Sequence, residues 1–408
     1  MKRWLSLAAI VILGLALVVG VACGGGGGGD DEEGVTEIRL GMALPLSGIM
    51  GALIGAPAKQ LHEMAADKIG VFEVGGEQYR WKIIFEDNEG SSAAGGLAST
   101  TRFIYDHDVD IVFQNGVAAM TAQTLCEENG VIIDLAVTLF EAFGPDHPYS
   151  IQTGPCIAAQ VAAFYDWLAE EHPEVERIVV VAYDDPLTVA FSEPYESNMH
   201  EYFGFEVEIV WTSAGTTEYY PVATTVMTKD PDLVIAGSSI LDILWDMGYE
   251  GLSVQYGPLV DQLMLEEAGW DDCKGLIFFY CEWYGAEELW PEAVAWAREF
   301  EDRYGVEMGS SPFAGHVIIP TLTRVLQEAG TVDDTDRILE VIHSRTIFDS
   351  TVGPIYYGGE AFVGVDCLLM WPVGIWEVVG EREYRVLDYY TAEEAEAIAV
   401  EAWTATMP

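Results

Sequence analysis

The sequence predicts an α/β protein with two Rossmann-like lobes, each built on a parallel sheet, joined by a hinge that the chain crosses three times. Three observations predict it. Apolar, β-branched runs alternate with helical stretches from residue 37 to residue 280, the pattern of parallel strands joined by helical crossovers. Runs such as Ile178-Val179-Val180-Val181-Ala182 and Leu233-Val234-Ile235-Ala236 lack polar alternation, as strands buried on both faces do. The last third holds three helical stretches almost in succession, with too few strands for a third sheet of its own. It therefore completes both earlier halves.

In order, the strands are expected at 37–44, 80–85, 109–114 and 131–137, with helices over 52–69, 93–105 and 121–129 between them. A short extended passage at 149–154 closes this half. The second half alternates helix 157–171, strand 177–183, helix 193–203, strand 206–211, helix 219–227, strand 232–237, helix 240–247, and strands 253–257 and 275–280. Helices follow at 291–304, 313–329 and 335–343. Pro291 suits a first helical turn, and Gly305 and Gly330 suit helix stops. Strands at 353–357 and 367–379 precede a terminal helix over 391–403, which opens on Thr391-Ala392-Glu393-Glu394, a capping-box spacing. Crossings near 155, 283 and 358 divide the body into 36–155 with 284–357 and 156–283 with 358–408. A cleft between such lobes is where a ligand is held.

The chain of 408 residues carries 18 basic and 67 acidic side chains, a formal charge of −49. Nucleic acid is excluded as a partner, because its affinity depends on Lys and Arg neutralising phosphates. Docking on anionic lipid is disfavoured for the same reason. Self-repulsion favours a soluble monomer. Residues 1–22 read as a signal peptide: Lys2 and Arg3 precede an uncharged apolar run too short to span a membrane comfortably. The run ends at Val21-Ala22-Cys23, followed by six glycines and Asp30-Asp31-Glu32-Glu33. Residues 23–35 read as a flexible tether. Five further cysteines leave at least one unpaired. Cys273 and Cys281 flank a strand, which holds them too far apart for a disulfide.

No metal, cofactor or catalytic site is expected. There is no CxxC, HExxH or GxSxG, and no glycine-rich phosphate loop follows a strand. Asp106-His107-Asp108-Val109-Asp110 has calcium-like spacing but lacks the Gly and Glu that a calcium loop needs, and reads as a solvated helix-to-strand turn.

The start of the chain resembles a bacterial lipoprotein signal, which implies lipidation of Cys23 and an extracytoplasmic, membrane-anchored location; Gly20 departs from the Leu usual there. The body resembles type I periplasmic solute-binding proteins of the branched-chain amino-acid group, which feed ABC importers. The resemblance runs over about 36–388. It rests on Ala43-Leu44-Pro45-Leu46-Ser47-Gly48, Glu86-Asp87-Asn88, the passage 221–237 with Lys229-Asp230-Pro231-Asp232, the late helix ending in Glu328-Ala329-Gly330, and Gly353-Pro354-Ile355-Tyr356-Tyr357-Gly358-Gly359. It implies a non-enzymatic protein that closes on a small polar organic solute, an amino acid, amide or small carboxylate, and delivers it to an ABC permease. The alternatives are a ligand-sensing receptor of the same fold and an extracellular hydrolase.

Ligand loops are expected at the carboxyl ends of strands. In the first half they are 47–55, with Ser47 and Ile54; 115–121, with Ala119 and Thr121; and Val137 with Thr138. Ser47-Gly48 reads equally as a turn and Thr138 equally as a loop residue. In the second half they carry Asp185, Ser238 and Asp261. The family usually places a Ser near Ala119 to grip a ligand carboxylate, and an acid near Leu259 to pair an ammonium. Asp185 or Asp261 could substitute for that acid, or be solvated surface charges. Both departures count against an α-amino acid.

Overall fold

The structure, a computed structural model, describes residues 34–48, 51–137, 139–184, 198–213, 216, 218–255, 269–280, 287–306, 308 and 314–406. The signal, Cys23 and tether expectations, with Thr138, Asp185, Asp261 and Cys281, lie outside the described residues.

The first sheet has six strands, in the order β2-β3-β1-β4-β5-β6. They are β1 (Val35–Leu44), β2 (Val71–Val74), β3 (Glu77–Asp87), β4 (Ile111–Asn115), β5 (Ile132–Ala136) and β6 (Ser150–Ile151). β1, β4, β5 and β6 run parallel, while β2 pairs antiparallel with β3 as a hairpin absent from the sequence reading. Its alternating exposed and buried residues form a short edge strand. The connections are α1 (Ala56–Ile69), α2 (Ala93–Arg102) and α3 (Gly116–Asn129), with π turns at Gly51–Gly55 and Phe103–His107. The Asp106–Asp110 passage is indeed a turn. Asp110 accepts from the Arg39 backbone N–H at 2.6 Å and so ties the turn to β1.

The second sheet has seven strands, in the order β16-β15-β11-β10-β9-β7-β8. Five of them, β7 (Arg177–Tyr183), β8 (Glu206–Thr212), β9 (Leu233–Ala236), β10 (Leu252–Gln255) and β11 (Ile277–Tyr280), are all parallel, with β8 at the far edge. The flanking β15 (Val373–Gly380) and β16 (Glu383–Tyr390) are antiparallel, so both lobes carry mixed sheets. Helices α4 (Ile157–Glu171), α5 (Met199–Tyr202), α6 (Tyr220–Thr228) and α7 (Ser238–Asp246) serve this lobe. α4 is buried along nearly its whole length, and its Phe164 ring stacks on Phe279 at 4.4 Å.

The tail returns to the first lobe through α8 (Pro291–Tyr304), α9 (Gly315–Ala329) and α10 (Thr335–Ile342). α8 is pinned to α1 by Lys68–Glu299, by Arg303–Asp67 at 2.5 Å, and by the Lys68 ammonium over the Trp296 ring. A three-stranded antiparallel sheet follows, made of β12 (Ile347–Ser350), β13 (Gly353–Gly358) and β14 (Leu368–Met370), with α11 (Glu360–Val363) between the last two. A parallel bridge, Gln152 to Leu368, joins it to the edge of the first sheet.

The apolar run read as one strand over 367–379 is thus two strands in different sheets, broken at Trp371-Pro372. Pro372 has no N–H for a ladder. The last sheet change falls there, later than 358. β12 and β16 were not expected; both are short or half-exposed, with polar residues that mask the pattern. Cys126, Cys156, Cys273 and Cys367 are free, buried thiols. Among the described residues, no helix is long and apolar enough to cross a membrane.

The terminal helix α12 (Ala392–Thr406) packs its small residues Ala395, Ala399 and Ala402 toward α4. Its capping box forms as expected: Glu394 accepts from the Thr391 backbone N–H at 2.9 Å, and Thr391 Oγ1 accepts from the Glu394 N–H at 3.2 Å. One turn on, the Glu396 carboxylate is buried. Arg345 donates to it at 2.5 Å, Tyr356 OH at 2.8 Å and the Gly359 N–H at 2.9 Å. Burial raises its affinity for a proton, yet these donors together hold the carboxyl below its ordinary range. Arg345→Met leaves a buried carboxylate with two donors. Because the guanidinium is partly exposed, the loss is smaller than for a fully buried pair, about 2 kcal/mol. Denaturant melts at pH 7 should register that loss, and the difference from wild type should shrink below pH 4.5 as Glu396 protonates.

Candidate functional site

Parallel strands deliver the loops at their carboxyl ends to one edge of each sheet, and the following helices begin there. In the first lobe that edge is made by the ends of β1, β3, β4 and β5. After β1 the chain turns through Ser47 into the π turn. Gly55 lies so close under Pro45 that a Cβ would sit 2.2 Å from its carbonyl oxygen. Asp87, at the end of β3, clamps this turn. Burial raises its affinity for a proton, but the Ser47 hydroxyl and the backbone N–H groups of Glu89 (2.9 Å), Leu46 (3.0 Å) and Ser47 outweigh that and hold the carboxyl below its ordinary range. Ser47 is exposed, with its hydroxyl engaged by Asp87. Ile54, in the π turn, is half-buried.

The second loop opens α3. Ala119 is fully buried, so it can offer backbone but no polar side chain. Thr121 does not point a free hydroxyl at a ligand: Oγ1 donates to Ala118 O at 2.9 Å and Ala93 O at 3.0 Å, which ties α3 to α2. Val137, just past β5, is fully buried.

Sequence reasoning missed a polar cluster between these strand ends. Asn88 is buried and donates to Asn115 Oδ1 and, at 3.4 Å, to the Ala43 carbonyl. Asn88 Oδ1 accepts from the Ser91 N–H at 2.9 Å. Asn115 Nδ2 and Ser91 Oγ are buried without a hydrogen-bond partner. Asn115 is also the residue before α3, and its side chain does not cap that helix. The first N–H groups of α3 and an amide donor therefore lie free at the same strand end, which suits an oxygen-rich group. Buried polar groups without partners are costly, so something polar belongs there. The signal was present in Glu86-Asp87-Asn88 and Asn115-Gly116, noted as a resemblance and a loop rather than as paired amides.

In the second lobe, β9 ends at Ala236, and α7 starts at Ser238 after Gly237, again without a side-chain cap. A Cβ at Gly237 would lie 3.6 Å from the Tyr183 hydroxyl, so the end of β7 meets this helix start. Among the described residues at these strand ends, none is Lys or Arg.

Where the first crossing leaves the first lobe, Asp134 of β5 is fully buried with no cation beside it. Its Oδ1 accepts from the Thr153 N–H at 2.8 Å, Oδ2 has no partner, and Thr153 Oγ1 lies 3.0 Å from Tyr357 OH. Burial pushes its carboxyl up to about 7.

The architecture is that of a two-lobed binding protein, and comparison places it. A profile of the periplasmic binding protein family matches residues 37–373, and the chain belongs to that family. The fold is similar to a leucine-binding protein of Thermotoga maritima, at 18% identity and TM-score 0.71 over 87% of this chain and 99% of that one. It is similar to an ABC transporter substrate-binding protein of Sphaerobacter thermophilus, at 21% and 0.71 over 88% and 98%. It is also similar to an ABC transporter solute-binding protein of R. palustris in complex with benzoate, at 16% and 0.69 over 87% and 97%. No curated protein matches significantly.

Asp134 generates a pH prediction. Its folded-state pKa of about 7 stands above the ordinary 3.8, so the folded state binds the proton more tightly than the unfolded one. Its stabilising contribution is complete below pH 3.8 and is lost as pH rises to about 7. Asp134→Asn keeps the acceptor for Thr153 and cannot ionise. Its melting temperature relative to wild type should therefore climb between pH 4 and pH 7 and level off above, for a gain of up to about 4 kcal/mol.

Proposed function

We propose that this chain is the extracytoplasmic solute-binding component of an ABC importer, and that it is not an enzyme. It captures a small polar organic solute between its lobes by closing on it, and the closed form docks on a membrane permease. Cys23 carries a lipid, and residues 23–35 tether the body to the membrane. The observation that carries the reading is the pair of uncapped helix starts after β4 and β9, one in each lobe, each at the carboxyl end of a parallel strand. A ligand touched by both lobes shifts the equilibrium toward the closed form by its differential affinity for that form.

Within the solute class, the site residues favour a small carboxylate. Asn115 Nδ2 and the helix N–H groups are donors. The second lobe has Leu259 where an amino-acid binder of the family places an acid. The benzoate-bound relative shows that this fold accommodates an aromatic carboxylate. Thr138, Ser238, Asp185 and Asp261 complete the proposed set of ligand residues.

Titration calorimetry of the mature chain against leucine, benzoate, 4-hydroxybenzoate and small amides tests this. One carboxylate should bind stoichiometrically, and Asn115→Asp should weaken it at least tenfold, about 1.4 kcal/mol, by setting a second carboxylate against it. No heat with any of them would count against transport of this solute class. With a net charge of −49, encounter with an anion is slowed by like-charge repulsion, so stopped-flow association of the carboxylate should speed up from 20 mM to 300 mM salt.

A further inference from the structure

We infer that Trp290 is a sliding joint between the lobes: α8 acts as a lever fixed to the first lobe, and its leading indole turns against the second sheet as the lobes move. The inference rests on the reading that the protein works by closure.

Along its length, α8 belongs to the first lobe. Val294, Ala297 and Phe300 pack with Leu61 and Met64 of α1, and the Lys68–Glu299 and Arg303–Asp67 pairs fix the same two helices from outside. At its N-terminal end the allegiance changes. Trp290, immediately before Pro291, is 2% exposed and meets the antiparallel strands of the second sheet. Its ring lies edge-on to Trp376 of β15, centroids 4.8 Å apart at 64°, and 6.2 Å from the Tyr389 ring of β16.

Gly374 makes room for this contact. A Cβ there would stand 2.7 Å from the Trp376 ring and 2.8 Å from the Trp290 ring, closer than atoms can pack. The cross-strand partner of Gly374 is Tyr389 itself, so the indole rests where β15 has no side chain. The indole N–H groups of Trp290 and Trp376 have no acceptor. No hydrogen bond therefore fixes either ring in one orientation. The edge-to-face contact holds by packing rather than by a directional hydrogen bond, and the large rings exclude water. Such a contact carries load between two bodies while letting them turn. Among the described residues the chain crosses at 152–156 and Trp371-Pro372, while the crossing expected near 283 lies outside them; these covalent links alone would leave that turn less constrained.

Electron–electron distance measurements on the ligand-free protein test this without a ligand. Nitroxides are attached after Tyr105→Cys and Tyr220→Cys, both exposed and on opposite lobes. Trp290→Ala should broaden the interlobe distance distribution to at least twice the wild-type width, and Trp290→Phe should restore most of it. Gly374→Ala, which displaces the rings without deleting either, should broaden it as well. This variant decides the matter if Trp290→Ala does not fold. Wild-type width in the folded variants overturns the joint. If wild type fails to narrow with any carboxylate while Trp290→Ala still broadens, closure on that solute class fails and the joint stands.

Discussion

A parallel strand cannot be followed directly by its neighbour; the chain must cross the face of the sheet and return. That constraint governs this protein. It places every β-to-α loop of a lobe at one edge, starts the following helices there, and leaves the opposite edge to turns such as Asp108–Asp110. The paired amides of Asn88 and Asn115 and the uncapped starts of α3 and α7 stand at these strand ends because the connections are crossovers. Where the pairing becomes antiparallel, at β15 and β16, the chain makes no such loop, and that part of the second sheet is used for contact with Trp290 instead.

Charge is organised by the same frame. The few cations hold structure: Lys68 and Arg303 fix α8 to α1, Arg345 holds the buried end of α12, and Arg177 ties β7 to Asp230 and Asp232. Among the described residues at the strand ends, none is Lys or Arg. In the proposed mode, a solute there would exchange water for oriented dipoles rather than for a counter-ion, which costs less desolvation than a buried ion pair. Two buried titratable groups pull stability in opposite directions. Ionisation of Asp134 is penalised as pH rises to about 7, whereas protonation of His62, whose pKa burial pushes down to about 4, is penalised as pH falls from 6.5.

The alternation of β-branched runs and helices was legible because parallel strands buried on both faces leave no choice of residue. α4, β7 and α8 lie where the sequence puts them, and the stops at Gly305 and Gly330 are left-handed as expected. Edge strands were less legible, since half their residues face water. The break inside 367–379 was hidden by continuous hydrophobicity, although Pro372 marked it. At the candidate site, the side-chain contacts were not legible. Ser47 and Thr121 have the right chemistry for a ligand, but local acceptors, Asp87 and the Ala118 and Ala93 carbonyls, take their hydroxyls first. The single acid in Ile132-Ile133-Asp134-Leu135-Ala136 was not singled out, because its partner, Thr153, lies 19 residues on and meets it only in the fold.

Small-angle X-ray scattering of the mature chain tests the two-lobed clamp most directly, comparing protein stripped of small molecules by reversible unfolding with the same protein refilled from a host metabolite extract. A smaller radius of gyration in the refilled sample, with a stoichiometric solute recovered from it, is the result expected. A recovered solute with an unchanged radius would contradict closure as the means of capture.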